Sequence, residues 1–252
     1  MEFFVNKDSV VRKIWGKGDT ILFIFAGASA EFALNKAVDW LYFTGRLPAD
    51  PLGRLFSTVN YARQIVFSKE DDALRAIDKI SAIHSEVEAN RGARIPSWAY
   101  LNVLFMLIEY SINSYELLER KLTNAEKEEV FNVFYRVGCQ MDLKGLPHNF
   151  NEWLKMREQH LNKYLVRGNY TFDLYKQYKK HLGPVRFRLL TEAQKLVVPK
   201  KVNELLEMGQ VSLLEPVLVV YKITRKVKLD CFLKSIILPK EYKKEIKELD
   251  VI

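Results

Sequence analysis

The chain has 252 residues, of which 48% are hydrophobic and 12% aromatic, enough apolar mass for a substantial buried core and too much for a disordered polypeptide. Lys and Arg number 39 against 31 Asp and Glu, for a net charge of +8, but nine basic and four acidic residues fall between Tyr221 and Glu248, so the remainder is close to balanced. Basic residues do not alternate with aromatics, so nucleic acid is not expected as a partner; the excess suits a lysine-rich surface or a face turned toward anionic lipid or an acidic ligand.

Two cysteines, Cys139 and Cys231, lie far apart without CxxC spacing, so neither a disulfide framework nor a zinc site is indicated and a reducing compartment is expected. The opening "MEFFVNKDSVVRKIW" carries an early acid and no long apolar stretch, unlike a signal peptide. The longest uncharged apolar run, "TILFIFAGASA" between Asp19 and Glu31, is far short of the roughly 20 residues of a membrane span. The expectation is a cytoplasmic, soluble protein with peripheral membrane contact through the basic C-terminal segment, and the sequence leaves its oligomeric state open.

Helical periodicity runs the length of the chain, and its interruptions carry helix-capping chemistry. Asp8 or Ser9 caps "VVRKIW", Asp50-Pro51 opens "LGRLFSTVNYARQIVF", "SKEDD" opens "ALRAIDKISAIHSEVE", and Pro96 opens "SWAYLNVLFMLIEYSINSYELLER". Thr123 and Glu126 form a capping box before "KEEVFNVFYRVGCQM", and Asn149 or Asn151 caps "EWLKMREQHLNKYL". A helix over "TFDLYKQYKKHL" breaks at Gly183-Pro184 and resumes in "VRFRLLTEAQKLVV" up to Pro199. The stretch from Val211 to Leu238 is rich in β-branched residues but lacks turn signals and strict alternation, and is assigned to helix. Without repeats or linkers, the economical reading is one all-α domain over 1–252, a multi-helix bundle, with 199–252 as a basic helical extension.

On "DDALRAIDKISAIHSEVE" the inward face reads Ala73, Ile77, Ile80, His84, Val87, at helical spacing, which sets His84 on a buried stripe. A buried imidazole needs a partner for each ring nitrogen, and the partner can be a carbonyl, a side chain or a metal. On the preceding helix Arg54, Thr58 and Tyr61 share one face, a cation and two hydroxyls able to hold carboxylates. An ion pair at a helix end is the plain reading of Arg54, and a hydrogen-bonded core residue the plain reading of His84. Together they also meet the needs of a haem site: one axial nitrogen, and donors for two propionates.

The run "TILFIFAGASAEFALNKAVDWLYFTGRLPADPLGRLFSTVNYARQIVFSKEDDALRAIDKISAIHSEVE" resembles the catalytic domain shared by bacterial rubber oxygenase (latex-clearing protein) and the fungal MpaB oxygenase. The likeness rests on the Ala/Gly-rich apolar helix, on "DPLGRLFST" with arginine four before threonine and tyrosine three after, and on the helix ending in His and xxV. A later "ELLERKLTNAEKEEVF" and "GLP" also fit, and coverage is about Trp15 to Val198. The resemblance implies an all-α haem b oxygenase with a haem pocket between helices and His84 as the axial iron ligand. Arg54 and Thr58 match residues lining the haem pocket, Tyr61 matches a recurrent position without an assigned role, and Arg186 and Arg188 resemble a late basic position that would hold propionates. Substrates implied are O2 and a small apolar molecule with a carbon-carbon double bond, of isoprenoid type.

The chain departs from that pattern at three places. Glu88 stands where rubber oxygenase has an arginine four residues after its haem histidine, Ser57 stands where it has a distal lysine, and "NVLFMLIEYS" lacks the Trp-Val-His run of many members. Two other readings stay open: a non-haem metal enzyme using His84 and Glu88 with Glu31 or Glu109, and a binding protein that holds haem or an apolar ligand without turnover. His148, His160 and His181 are expected at the surface, and Trp40, Phe43, Trp98, Phe105 and Tyr110 in the core.

Overall fold

The computed structural model describes residues 2–45 and 49–226, and within them eleven helices and no strand, an all-α single-domain fold. Four of the helices start where a side chain accepts from one of the first N–H groups. Helix α1 (Val10–Trp15) is capped by Ser9, whose hydroxyl accepts from the Val11 N–H at 3.0 Å. Helix α2 (Gly18–Leu34) is apolar on all sides and lies at the centre of the molecule, with α6 and α9 as its main neighbours; α3 (Val38–Phe43) follows it. Asp50 caps α4 (Pro51–Phe67) through the Gly53 N–H at 2.9 Å, with Pro51 in the first turn. Helix α5 (Glu70–Arg91) has three acids in its first turn and stops at Gly92, whose φ of 68° is open to glycine without strain.

Pro96 precedes α6 (Ser97–Leu118), Thr123 and Glu126 form the reciprocal capping box of α7 (Asn124–Gln140), and Asn149 caps α8 (Phe150–Tyr164). Helix α9 (Asn169–Val197) bends at Gly183, where φ is 72° and Pro184 follows, so both halves can wrap α2. Three hydrogen bonds fix that wrapping. Thr171 Oγ1 donates to the Ala33 carbonyl at 2.6 Å, the Tyr178 hydroxyl donates to the Ser29 carbonyl at 3.2 Å, and Gln194 Nε2 donates to Ser29 Oγ at 3.0 Å.

Two short helices complete the fold, α10 (Lys200–Leu206) and α11 (Glu215–Lys226). The helix expected from Val211 begins only at Glu215, because Glu192 captures the segment before it. Ser212 Oγ donates to the Glu192 carbonyl at 2.9 Å and the Leu213 N–H donates to Glu192 Oε2 at 2.8 Å, bonds that hold 211–214 as a turn. Most of the basic stretch from Tyr221 to Glu248, and Cys231 with it, lies outside the described residues. No helix among the described residues is long and apolar enough to cross a membrane.

The core is not purely apolar. Arg157 of α8 is buried and pairs with Glu31 of α2 through both terminal nitrogens, at 2.6 and 2.5 Å, and with Glu109 of α6 through Nε at 2.5 Å. The Tyr110 hydroxyl donates to Glu31 Oε2 at 2.7 Å. Burial pushes the Glu109 carboxyl up from its usual range, an effect that the Arg157 guanidinium opposes. The Tyr110 ring packs against Gly27, where a Cβ would overlap its atoms.

Removing the cation from this cluster strands two buried carboxylates. Arg157→Met should lower stability by about 3–5 kcal/mol, against a surface control such as Asp72→Asn within about 0.5 kcal/mol, measured as urea midpoints. Gly27→Ala should cost about 1–3 kcal/mol by forcing Tyr110 aside.

Candidate functional site

Along α5 the inward stripe thins toward its C-terminus: Ala73 and Ile77 are buried, while Ile80, His84 and Val87 are half-buried. The first half of the helix lies on the core, and the second half projects past it. His84 makes no hydrogen bond among the described residues, and its Nδ1 is sealed from solvent without a partner. His84 is therefore not a hydrogen-bonded core histidine. The ring meets Tyr100 of α6 edge-on, with centroids 5.1 Å apart at 76°. Burial, chiefly, and then the Arg54 cation push the His84 imidazole below its ordinary pKa, while Glu88 pulls the other way.

Arg54 reaches His84 because α4 packs along α5. Its Nη1 donates to Thr58 Oγ1 at 3.4 Å, and the threonine hydroxyl donates back to the Arg54 carbonyl at 3.2 Å, so the two share one face. Tyr61 is placed otherwise: with Ser57, Asn60, Gln64 and Lys79 it lines a shallow cleft. The groups that bear on His84 are Arg54, Glu88 and Tyr100, and Arg186 and Arg188 are not among them. Arg186 is half-buried on the second half of α9; Arg188 is exposed and pairs with Glu192 at 3.2 Å.

Glu88 follows His84 by one turn, and its Oε1 accepts from the Tyr100 hydroxyl at 3.0 Å and from the Ile95 N–H at 2.9 Å. Glu31 and Glu109, the other carboxylates that a non-haem metal set would need, converge on Arg157 instead. Among the described residues no three His, Cys, Asp or Glu side chains come together as a metal set. Further along α5, Arg91 pairs with Asp39 at 2.6 Å and lies over the Trp40 ring at 3.9 Å, tying α5 to α3. Trp40 and Trp98 are half-buried and Phe43 is exposed, whereas Phe105 and Tyr110 are in the core.

His160 corrects the sequence reading. It is buried rather than on the surface, held between the Phe105 and Tyr164 rings at 5.0 and 4.9 Å, with Nδ1 against Asn102 Oδ1. Helix α8 turns Trp153, Arg157, His160 and Leu161 inward and leaves its other charges outside. The signal was the helical spacing of Trp153, Arg157 and His160, masked by the charged residues between them. His148 and His181 are exposed, as is the free thiol of Cys139.

An all-helical protein with an unpaired imidazole on an interior helix face is what the geometry defines. Residues 13–218 match the family described as ER-bound oxygenase mpaB/B'/Rubber oxygenase, catalytic domain, and the chain belongs to that family of oxygenases. No curated relative and no solved structure matches the chain.

Burial and Arg157 depress the His160 pKa to about 4. Below its unfolded value of about 6.5 the unfolded chain binds the proton first, so stability should fall as pH drops from about 6.5 to 4. In His160→Gln that portion of the acid loss should disappear from melting curves.

Proposed function

We propose that the protein is a haem b-dependent oxygenase acting on an apolar substrate with a carbon-carbon double bond, of isoprenoid type. The observation that carries this reading is His84. Leaving a buried ring nitrogen unpaired costs about 1–3 kcal/mol, and an imidazole kept neutral and unpaired is what a metal ligand requires. The donors beside it suit haem rather than a bare ion, because one cation and one hydroxyl on the facing helix are carboxylate-binding groups, and among the described residues no three His, Cys, Asp or Glu side chains come together.

In this reading His84 ties the cofactor to α5, and Arg54 and Thr58 receive a propionate from α4. Tyr61 rims the neighbouring cleft, and Arg186 and Arg188 remain secondary propionate candidates. Haem supplies the redox chemistry with O2 when bound. The chain's own residues bind, orient and exclude water: Tyr100 and the apolar α5 face cover one side of the imidazole, and the Arg54 charge favours its neutral form. The same family, bound to an endoplasmic membrane in the MpaB case by its printed description, suggests a peripheral lipid contact, for which α11 offers the exposed Val217, Val219 and Val220 beside the basic C-terminal stretch.

Protein purified from cells given iron and a haem precursor should show a Soret band that shifts on dithionite reduction, with about one iron per chain. His84→Ala should lose the pigment while keeping its helical circular dichroism. Arg54→Ala should retain haem roughly ten- to a hundredfold less tightly, the worth of a hydrogen bond to a charged group. Full haem content in His84→Ala would overturn the ligand assignment, and a wild-type chain that stays colourless with added haem would overturn the haem reading. Co-sedimentation with anionic vesicles that survives deletion of residues 215–252 would remove the lipid contact.

A further inference from the structure

Outside the C-terminal stretch the basic residues are not evenly spread. Between Lys163 and Arg188 there are seven of them and one acid, Asp173. That acid is occupied, since its carboxylate oxygens accept from the Tyr42 hydroxyl at 2.8 Å and from Gln177 Nε2 at 3.4 Å. Arg167 and Arg188 have carboxylate partners in Glu207 and Glu192. Lys176, Lys179 and Lys180 are exposed and pair with no acid among the described residues.

These lysines share the outer face of the first half of α9 with bare apolar groups. Phe172, Lys176, Lys179 and Lys180 fall at i, i+4, i+7 and i+8, one stripe of a helix that turns Thr171 and Tyr178 toward Ala33 and Ser29 of α2. Phe172 is 58% exposed, and Tyr170 before it is exposed and lies against the Tyr42 ring at 4.4 Å. At the far end the helix doubles back at Gly183-Pro184: the Tyr175 hydroxyl donates to Gln194 Oε1 at 2.9 Å, and the Tyr175 ring meets Phe187 edge-on at 6.2 Å. The tip is open, with nothing within 4 Å of where a Gly183 Cβ would lie, and Val185 on it is 71% exposed.

We propose that this face of α9, from Tyr170 to Val185, rests on the surface of an anionic lipid bilayer, with Phe172 and Val185 at the acyl boundary and the three lysines on the headgroup phosphates. Cations without partners call for an anionic surface, and exposed aromatic and aliphatic side chains among them call for an apolar phase behind that charge. A bilayer surface offers both, since a lysine lays its methylenes on apolar surface while its ammonium stays at the phosphates. A nucleic acid would meet the lysines through its phosphates and leave Val185 without an apolar contact. Contact at the surface is the mode, because no helix among the described residues is long and apolar enough to cross a membrane. The face uses none of the residues of α11, and it does not depend on the haem reading of His84.

The test uses full-length protein and vesicles of phosphatidylcholine with about 25% phosphatidylserine, with binding read by co-sedimentation at low salt. The wild-type chain should bind them, and should bind far less at high salt or to phosphatidylcholine alone. Lys176→Gln/Lys179→Gln/Lys180→Gln should bind about 100-fold more weakly, about a factor of five per lysine. Phe172→Ser should lose about tenfold through its apolar area. A control with the same loss of charge outside this face, Lys13→Gln/Lys121→Gln/Lys144→Gln, should lose less than about threefold.

A wild-type chain that does not bind the anionic vesicles overturns the inference, as does one that binds single-stranded RNA in their place. Unchanged affinity in the triple variant or in Phe172→Ser overturns it too, and leaves any vesicle binding to α11 and the basic C-terminal stretch. Equal losses in the triple variant and its control reduce the effect to net charge and overturn it as well. If the triple variant loses its helical circular dichroism, Lys180→Gln and Phe172→Ser decide, read against Lys121→Gln. A chain that takes up no haem but binds vesicles through α9 refutes the haem reading and leaves this inference standing.

Discussion

The pairing of Arg157 with Glu31 and Glu109 is the constraint from which the helix arrangement follows. Three charges and a phenol cannot be buried at random positions, because each must find donors or acceptors in fixed directions. The flat guanidinium meets Glu31 with both terminal nitrogens and Glu109 with Nε, so α8, α2 and α6 are locked at one point in both distance and rotation. Small residues then decide how closely the helices approach: Gly27 admits the Tyr110 ring, and Ala26, Ala28, Ala30 and Ala33 keep the α2 surface low. The bonds from α9 to Ser29 and Ala33 complete a collar around α2.

That rigid centre leaves α5 as a strut pinned near both ends. At one end Arg136 of α7 holds Glu70 and the Phe4 carbonyl, and Gln140 holds Asp78 at 2.7 Å. At the other, Arg91 holds Asp39 and the Trp40 ring. His84 falls between those anchors, where the helix has left the core but is not free to move. Under the proposed haem reading this is the compromise an imidazole ligand needs, since a residue in the full core could not reach a cofactor and one on a loose helix could not hold it.

The fold was largely legible because its signals are local. Ser9, Asp50, Asn149 and the Thr123/Glu126 box each cap the helix that their spacing announced, and Gly183-Pro184 bends α9 where the sequence breaks. The stripe that placed His84 inward is likewise local. What stayed hidden is everything that depends on two distant segments. Arg157 and His160 sit in a helix dense with charge, and nothing in that helix shows that partners wait 126 and 58 residues away, in α2 and α6. Glu31 and Glu109 stood out as acids in apolar helices, and a metal set was one reading of them; only the structure assigns both to Arg157. Tyr100 carried no signal at all, since its role lies in a contact between helices.

The electrostatics of His84 is a balance between two helices. Burial and Arg54 on α4 disfavour the charged imidazole, and Glu88 on α5 favours it. An arginine at this position would add to the effect of Arg54. The glutamate in this chain therefore sets an anion against the Arg54 cation beside one imidazole, and the Tyr100 hydroxyl holds that carboxylate in place by donating to it.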